Sequence, residues 1–450
     1  MICRLPWPKW LSQPCAVLNP NIGQITTEFN LIRRKAKTGV ASMMDEQVEN
    51  HDQMGEAFHT GSNQSGMRNY NERLIIDTVR RSGSRSKADI ARMTQLSAQT
   101  VTVIVNRLIA DGILIKMGSV KGKVGQPSTP IAINPDGAFS IGIKVGRRSV
   151  DLVVINFLHQ VIAKRSLSYA YPDPRDVLDW LDENIGAVLD EMPAKKRPKT
   201  LGIGVAVPTG LDGWESAIDA PKGAMKAWSN IDLAQSIHQK TGLPVIVLND
   251  GSAACLAQLT LADLRRNKTF LYIYVATFVG GGLVINGQLF EGRTGNAGAL
   301  GSMPLSLLSG DGKAPSQMID VASLHKLEKT AVRNDMAADG FAAFLNAQAS
   351  TAMIDDWIAE AAPALAKSVV AAQSLLDVDY VVMDGGLPQN IMAKLVDMTR
   401  DCVMHYNTEG IAIPDIILGE LGSDARALGA AILPLRANFS VDQSAFVIGN

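Results

Sequence analysis

Only four cysteines, Cys3, Cys15, Cys255 and Cys402, occur in 450 residues, and their spacing matches no metal knuckle. No secretory apolar region precedes them, so the expected setting is a reducing cytoplasm with buried or incidental thiols. Uninterrupted apolar runs of roughly 18 residues are also missing, which excludes a membrane-spanning helix. What remains is ordinary for a globular chain: 46% hydrophobic residues and 19% charged ones, in a length that allows roughly three domains.

Charge of either sign is nearly balanced overall, at a formal −1, but its distribution is uneven. Residues 68–125 hold 11 Lys or Arg against 4 Asp or Glu, an excess of +7 that leaves −8 for the rest. A basic head on an acidic body suits a phosphate-binding module carried by something that does not itself bind nucleic acid.

Within that head, SRSKADIARMTQLSAQTVTVIVNRL at 84–108 has the spacing of a helix-turn-helix. Ser86 with Asp89 forms a capping box, Ser97 caps a second helix, and Thr94-Gln95-Leu96 makes the turn between them. Helical spacing turns Val101, Ile104, Val105 and Leu108 inward and leaves Gln99, Thr100, Thr102, Val103, Asn106 and Arg107 toward solvent. Gln, Asn and Arg suit base edges and Thr hydroxyls suit phosphates, so Gln99, Thr100, Thr102, Asn106 and Arg107 are the candidate DNA contacts. A preceding helix carries Leu74, Ile75 and Val79 on one stripe. Two strands, ILIKMGSV and IAINP, flank a basic Gly-rich tip and complete a winged helix-turn-helix, with Lys121, Lys123 and Gln126 as further DNA contacts. The bland alternative for this head is a winged-helix protein-interaction module.

Residues 1–66 mix Trp, Pro, Asn and Gln without periodicity and are expected to be a disordered arm or a mis-annotated start, with Met43, Met44 and Met67 as other starts. The winged head occupies 67–136, an α/β lobe 137–255, a second lobe 256–436 and a tail 437–450. Strand patterns FSIGIKV, VDLVVINF, QVIAKRSLSYA, LGIGVAVP and PVIVLND alternate with helices in the first lobe; FLYIYVA, GGGLVING and YVVMDGG mark the second. No short tandem repeat is evident.

LGIGVAVPTG, PVIVLNDGSAAC, VGGGLVINGQLFEGRTGNAGALG, VVMDGG and LGSDARALGAAIL together resemble the ROK family (repressor, open reading frame, kinase) over about residues 70–435. The resemblance implies a bilobal actin-like ATPase (ribonuclease H-like) body, and the head and GKVGQPS linker look like the repressor branch, which includes xylose and N-acetylglucosamine repressors. The branch's linker usually reads Gly-Arg-Pro, whereas this chain has Gly125-Gln126-Pro127 and so lacks one cation at the minor groove.

Kinases of the family place Asp-x-Gly-Gly-Thr-Lys on the ATP phosphates. Here Lys144-Val145-Gly146-Arg147-Arg148-Ser149 stands instead, and a cation at 144 cannot serve Mg²⁺. The second phosphate loop reads Ala276-Thr277-Phe278, where Phe278 would obstruct close backbone approach. The family's zinc-binding His is Ser302, and no Cys follows in SGDGKAPSQMIDVAS, so no metal and no cofactor are expected.

Asn249 and Asp250 match the family's sugar-binding pair, while its two sugar-binding acids correspond to Ala299 and a position near Ile319. The candidate ligand site is thus Asn249, Asp250 and Gly298, for a carbohydrate that is less hydroxylated, differently oriented or anionic. Lys144, Arg147 and Arg148 could attract a phosphate, but a solvated turn is their expected role. The reading is a sugar-responsive DNA-binding regulator, a non-enzyme acting on operator DNA as a homodimer or higher homo-oligomer. Its rivals are an ATP-dependent sugar kinase with an accessory DNA-binding head, resting on Asp250 as general base, and a ligand-independent repressor with a scaffold body.

Overall fold

A computed structural model describes residues 64–118, 129–262, 267–307, 314–336, 340–347 and 351–441. The wing residues Lys121, Lys123 and Gln126, and the arm up to residue 63, lie outside the described residues. The first helix, α1 (Gln64–Ser82), begins inside the stretch read as a disordered arm.

In the head, α2 (Lys87–Thr94) and α3 (Ala98–Ala110) start where their caps predict. Ser86 Oγ accepts from the Asp89 amide at 3.1 Å and Ser97 Oγ from the Thr100 amide at 3.1 Å, which satisfies donors that a helix start leaves open. Ile75, Ile76 and Val79 of α1 bury against Ile90, Val101, Val105 and Leu108. The wing strands β1 (Leu114–Lys116) and β2 (Ile131–Ile133) pair antiparallel, Leu114 opposite Ile133.

The body holds two five-stranded sheets of the same design. The first runs β5 (Val161–Ser168), β4 (Ser149–Asn156), β3 (Phe139–Val145), β6 (Thr200–Val207), β7 (Val245–Asn249). The second runs β10 (Gln288–Phe290), β9 (Gly280–Ile285), β8 (Phe270–Val275), β11 (Tyr380–Gly385), β12 (Asp415–Leu418). In each, three antiparallel strands precede two parallel ones, a structural repeat that no sequence repeat announces.

Helix α4 (Pro174–Glu191) covers the outer face of the first sheet through Val177, Leu181, Ile185 and Val188, together with α5 (Leu233–Thr241). The short helices α7 (Met318–Ala322), α8 (Leu324–Arg333) and α9 (Phe341–Asn346) precede α10 (Thr351–Leu376). With α11 (Gln389–Val403), α10 buries Trp357, Leu365, Val369 and Leu395 on the second sheet.

Between the sheets lie two helices that have changed places. Helix α6 (Asp250–Leu261) follows the first sheet yet packs on the second, where Cys255 meets Tyr272 and Val284. Helix α12 (Ala425–Phe439) follows the second sheet yet packs on the first. The expected lobe limits, 137–255 and 256–436, therefore differ from the packing: they cut α6 and assign α12 to the wrong sheet. The contact is backbone-close. A Cβ on Gly204 would lie 1.8 Å from the Ala430 carbonyl oxygen, and one on Gly142 would lie 2.2 Å from that of Ala427.

Candidate functional site

Because β7 ends at Asn249 and α6 starts at once, the strand delivers Asn249 and Asp250 to the cleft between the lobes. Asn249 Oδ1 caps α6 by accepting from the Gly251 and Ser252 amides at 3.0 and 3.3 Å. Its amide nitrogen donates to Thr209 Oγ1 at 3.1 Å. Asn249 is therefore a helix cap whatever else it binds. Gly298 sits in the same wall with φ +79, and a Cβ there would lie 2.7 Å from Gly282 Cα, so the position requires glycine for packing alone.

These residues border a cavity of about 120 Å³ that also meets Arg147, Thr209, Phe278, Asn296 and Arg426. Ala299, Ser302 and Ile319 line it too, so the places where the resemblance implies two acids and a His do face this space with short or apolar side chains. Sequence reasoning missed Arg426, although LGSDAR was part of the resembling set. Its guanidinium lies 3.4 Å from Asp250 Oδ2 and 5.1 Å over the Tyr274 ring. The loop before it is tied down by Asp384 of β11, which accepts from the Gly385 and Gly422 amides at 2.8 and 3.0 Å.

The cations at 144, 147 and 148 do not form a solvated turn. Lys144 is 3% exposed and donates to Ser149 Oγ at 2.6 Å and to Asp151 Oδ2 at 2.9 Å, with burial pulling its pKa down to about 8. β3 is buried along its whole length, so a side chain at 144 must find a partner inside. Arg148 is held by Glu328 at 3.1 Å and by the Ala170 carbonyl. Arg147 alone lines the cavity, and burial pulls its pKa down to about 10. Its guanidinium lies 4.5 Å from the centre of the Phe278 ring, and that ring meets His325 in a T-shaped arrangement at 5.6 Å. Phe278 itself lines the cavity.

On the head, Gln99, Thr102 and Asn106 are exposed along α3, and Val103 is 62% exposed beside them. Asn106 accepts from Lys87 Nζ at 2.6 Å. Thr100 is half-buried and its hydroxyl meets Ser97 Oγ at 2.8 Å. Arg107 corrects the sequence reading. It is half-buried and forms an ion pair with Glu72 of α1, so it clamps two head helices together instead of pointing outward. Periodicity put it at the margin of the exposed face, and the carboxylate on α1 decided which way it turned.

The two sites are joined by α12. Arg426 in its first turn lines the cavity, and its far end meets the head. There Arg73 of α1 donates to the carbonyls of Ala437 and Ser440, both at 3.2 Å. Phe439 lies 4.6 Å from Phe157, and Arg80 of α1 covers the Phe157 ring at 4.6 Å.

Among the described residues no helix is long and apolar enough to cross a membrane, and no three His, Cys, Asp or Glu side chains are grouped to hold a metal. Residues 140–437 match the model of the ROK family, and the chain belongs to that family. Residues 68–115 match a winged helix-turn-helix DNA-binding model, so the chain has the domain set of a DNA-binding regulator.

Relatives include the xylose repressor of Bacillus subtilis, 23% identical over 54% of this chain and 62% of the repressor, so the match spans under two thirds of that protein. A transcriptional regulator of Mycobacterium bovis is 25% identical over 80% of this chain and 84% of its own length. Among solved structures, a ROK family transcriptional regulator described as a homologue of the E. coli MLC protein superposes with a TM-score of 0.62 at 18% identity, covering 85% of this chain and 100% of that one. A ROK family glucokinase from Streptomyces griseus, solved with glucose and AMPPNP, has a TM-score of 0.51 at 20% identity over 66% of this chain and 99% of its own. Both confirm the bilobal fold.

Proposed function

We propose that the chain is a DNA-binding transcriptional repressor whose kinase-like body binds a carbohydrate effector and no longer transfers phosphate. The observation that carries this reading is α12, one continuous helix whose first turn lines the cavity and whose last turn touches the DNA-binding head. A ligand that prefers one setting of α12 shifts the head with it, which is what coupling between two sites requires. Asn249, Asp250 and Gly298 form the ligand wall, and Gln99, Thr100, Thr102 and Asn106 face operator DNA, joined by Lys121, Lys123 and Gln126 of the wing. Arg147 and Phe278 occupy the positions that phosphate loops hold in the kinases, which supports loss of catalysis. The protein acts in the cytoplasm as a homodimer or higher homo-oligomer reading paired half-sites.

The test selects genomic fragments with the purified full-length protein and measures affinity for the best fragment with D-xylose, D-glucose or D-gluconate added. At least one is expected to change affinity about fivefold or more. Phe439→Ala should retain sugar binding while losing most of that change. ATP-dependent phosphorylation of any of these sugars, abolished in Asp250→Asn, would overturn the reading in favour of a kinase with an accessory head.

A further inference from the structure

Lys87 opens α2 and Asn106 stands in the third turn of α3, yet their side chains meet: Lys87 Nζ lies 2.6 Å from Asn106 Oδ1. An ammonium can only donate, so its partner has to be the amide oxygen, and the carboxamide of Asn106 has one orientation. A donor that carries charge makes this bond stronger than an ordinary amide contact. Among the described residues, neither Lys87 Nζ nor Asn106 Nδ2 donates to anything else. The pair therefore presents N–H groups outward.

Asn106 belongs to an exposed row, Gln99, Thr102, Val103 and Asn106, with the spacing of one helix face. Val103 in that row is 62% exposed, and an apolar side chain in the major groove has the thymine methyl to meet. An unhindered asparagine reads adenine, with Oδ1 accepting from N6 and Nδ2 donating to N7. Here Lys87 already holds Oδ1. The oxygen keeps a second lone pair, but an adenine amine placed there would face the ammonium, donor against donor. Guanine instead offers acceptors at both O6 and N7.

Resting on the reading of α3 as the helix that enters the major groove, we propose that Lys87 makes Asn106 a donor-only group, so that it selects guanine over adenine. Lys87 is a positioning residue in this scheme: it orients the carboxamide from a neighbouring helix and excludes the base that asparagine by itself prefers. The specificity of one position in the operator is then set by two residues 19 apart in sequence.

The experiment selects bound sequences from a pool of randomised duplexes with the full-length protein and its variants, and reads base preference position by position. Asn106→Ala should relax one position of the selected site, and there the wild type should favour G·C over A·T about tenfold. Lys87→Met keeps the stem and removes the ammonium, so this ratio should fall about tenfold, to parity or toward A·T. Lys87→Arg, which also only donates, should hold the ratio. The proposal is overturned by a wild-type preference for A·T at that position, by no relaxed position in Asn106→Ala, or by an unchanged ratio in Lys87→Met. In the last case, affinity lowered for all duplexes alike would mark Lys87 as a phosphate anchor. A wild type that enriches no sequence would instead defeat the regulator reading itself.

Discussion

The two lobes of the body share one strand order, and in each the sheet meets the helix between the lobes through glycines and the helices on its outer face through bulk. The first sheet meets α12 through its backbone: Gly142 and Gly204 leave no room for even a Cβ beneath Ala427 and Ala430. The second sheet meets α10 and α11 through bulk, with Trp357, Leu365, Val369 and Leu395 filling the space over Ile273, Val381 and Met383. Equivalent hairpins differ. The turn after β3 carries Arg147, the turn after β8 carries Phe278, and the two side chains stack across the cleft. Repetition of topology thus brings paired loops face to face, and the residues on those loops decide whether the cleft admits phosphate or closes on itself.

The contrast predicts failures of opposite sign. At the glycine contacts, adding one methyl should be damaging: Gly204→Ala drives a Cβ into the Ala430 carbonyl, at a cost of about 3 kcal/mol, the upper part of the usual overpacking range. At the bulk contacts, removing methyls should be damaging: Leu365→Ala empties a fully buried site at a similar cost of about 3 kcal/mol. Urea midpoints would register both. Gly204→Ala should in addition lose operator binding, because α12 carries the head contact, whereas Leu365→Ala should retain it at low temperature. Equal effects of the two variants on DNA binding would remove the distinction between the two kinds of contact.

What the sequence made legible follows the same division. The head was readable because its signals are local: caps three residues apart, and an apolar stripe at Val101, Ile104, Val105 and Leu108 that is buried as expected. Strands of both lobes were readable for the same reason. The exchange of α6 and α12 was not, because a run such as ARALGAAIL says that a helix is small-sided and buried without saying on which sheet. Arg426 was missed because its partner, Asp250, lies 176 residues away. Arg107 was misdirected because the carboxylate that captures it stands on another helix.

The hairpin turns before β5 and before β10 offer a finer comparison. In the first lobe, Phe157 and His159 lie against the head; burial, with Arg80 nearby, pushes the His159 pKa down to about 3 from 6.5. The folded state therefore stays unprotonated between those values while the unfolded chain takes up a proton, so stability falls as pH drops below 6.5. The counterpart turn, Asn286-Gly287, has no titratable side chain. His159→Asn should flatten the decline in urea midpoint between pH 7 and 4.5 relative to the wild type. An unchanged slope would mean that the head contact does not exclude protons from His159.

The smallest expected effect separates positioning from reading within α3 itself. Arg107 is tied to Glu72, so Arg107→Ala should cost the head about 1 kcal/mol or less and weaken all DNA sequences alike. Gln99 is exposed in the first turn of α3, where a groove-entering helix meets base edges. Gln99→Ala should cost about 1–3 kcal/mol on the selected fragment and little on an unrelated duplex. Competition binding at fixed salt distinguishes the two, since one change lowers both affinities and the other lowers their ratio. If Arg107→Ala changed the ratio instead, its pairing with Glu72 would have to open on DNA, and α1, which also holds Phe157 and the end of α12, would take part in recognition.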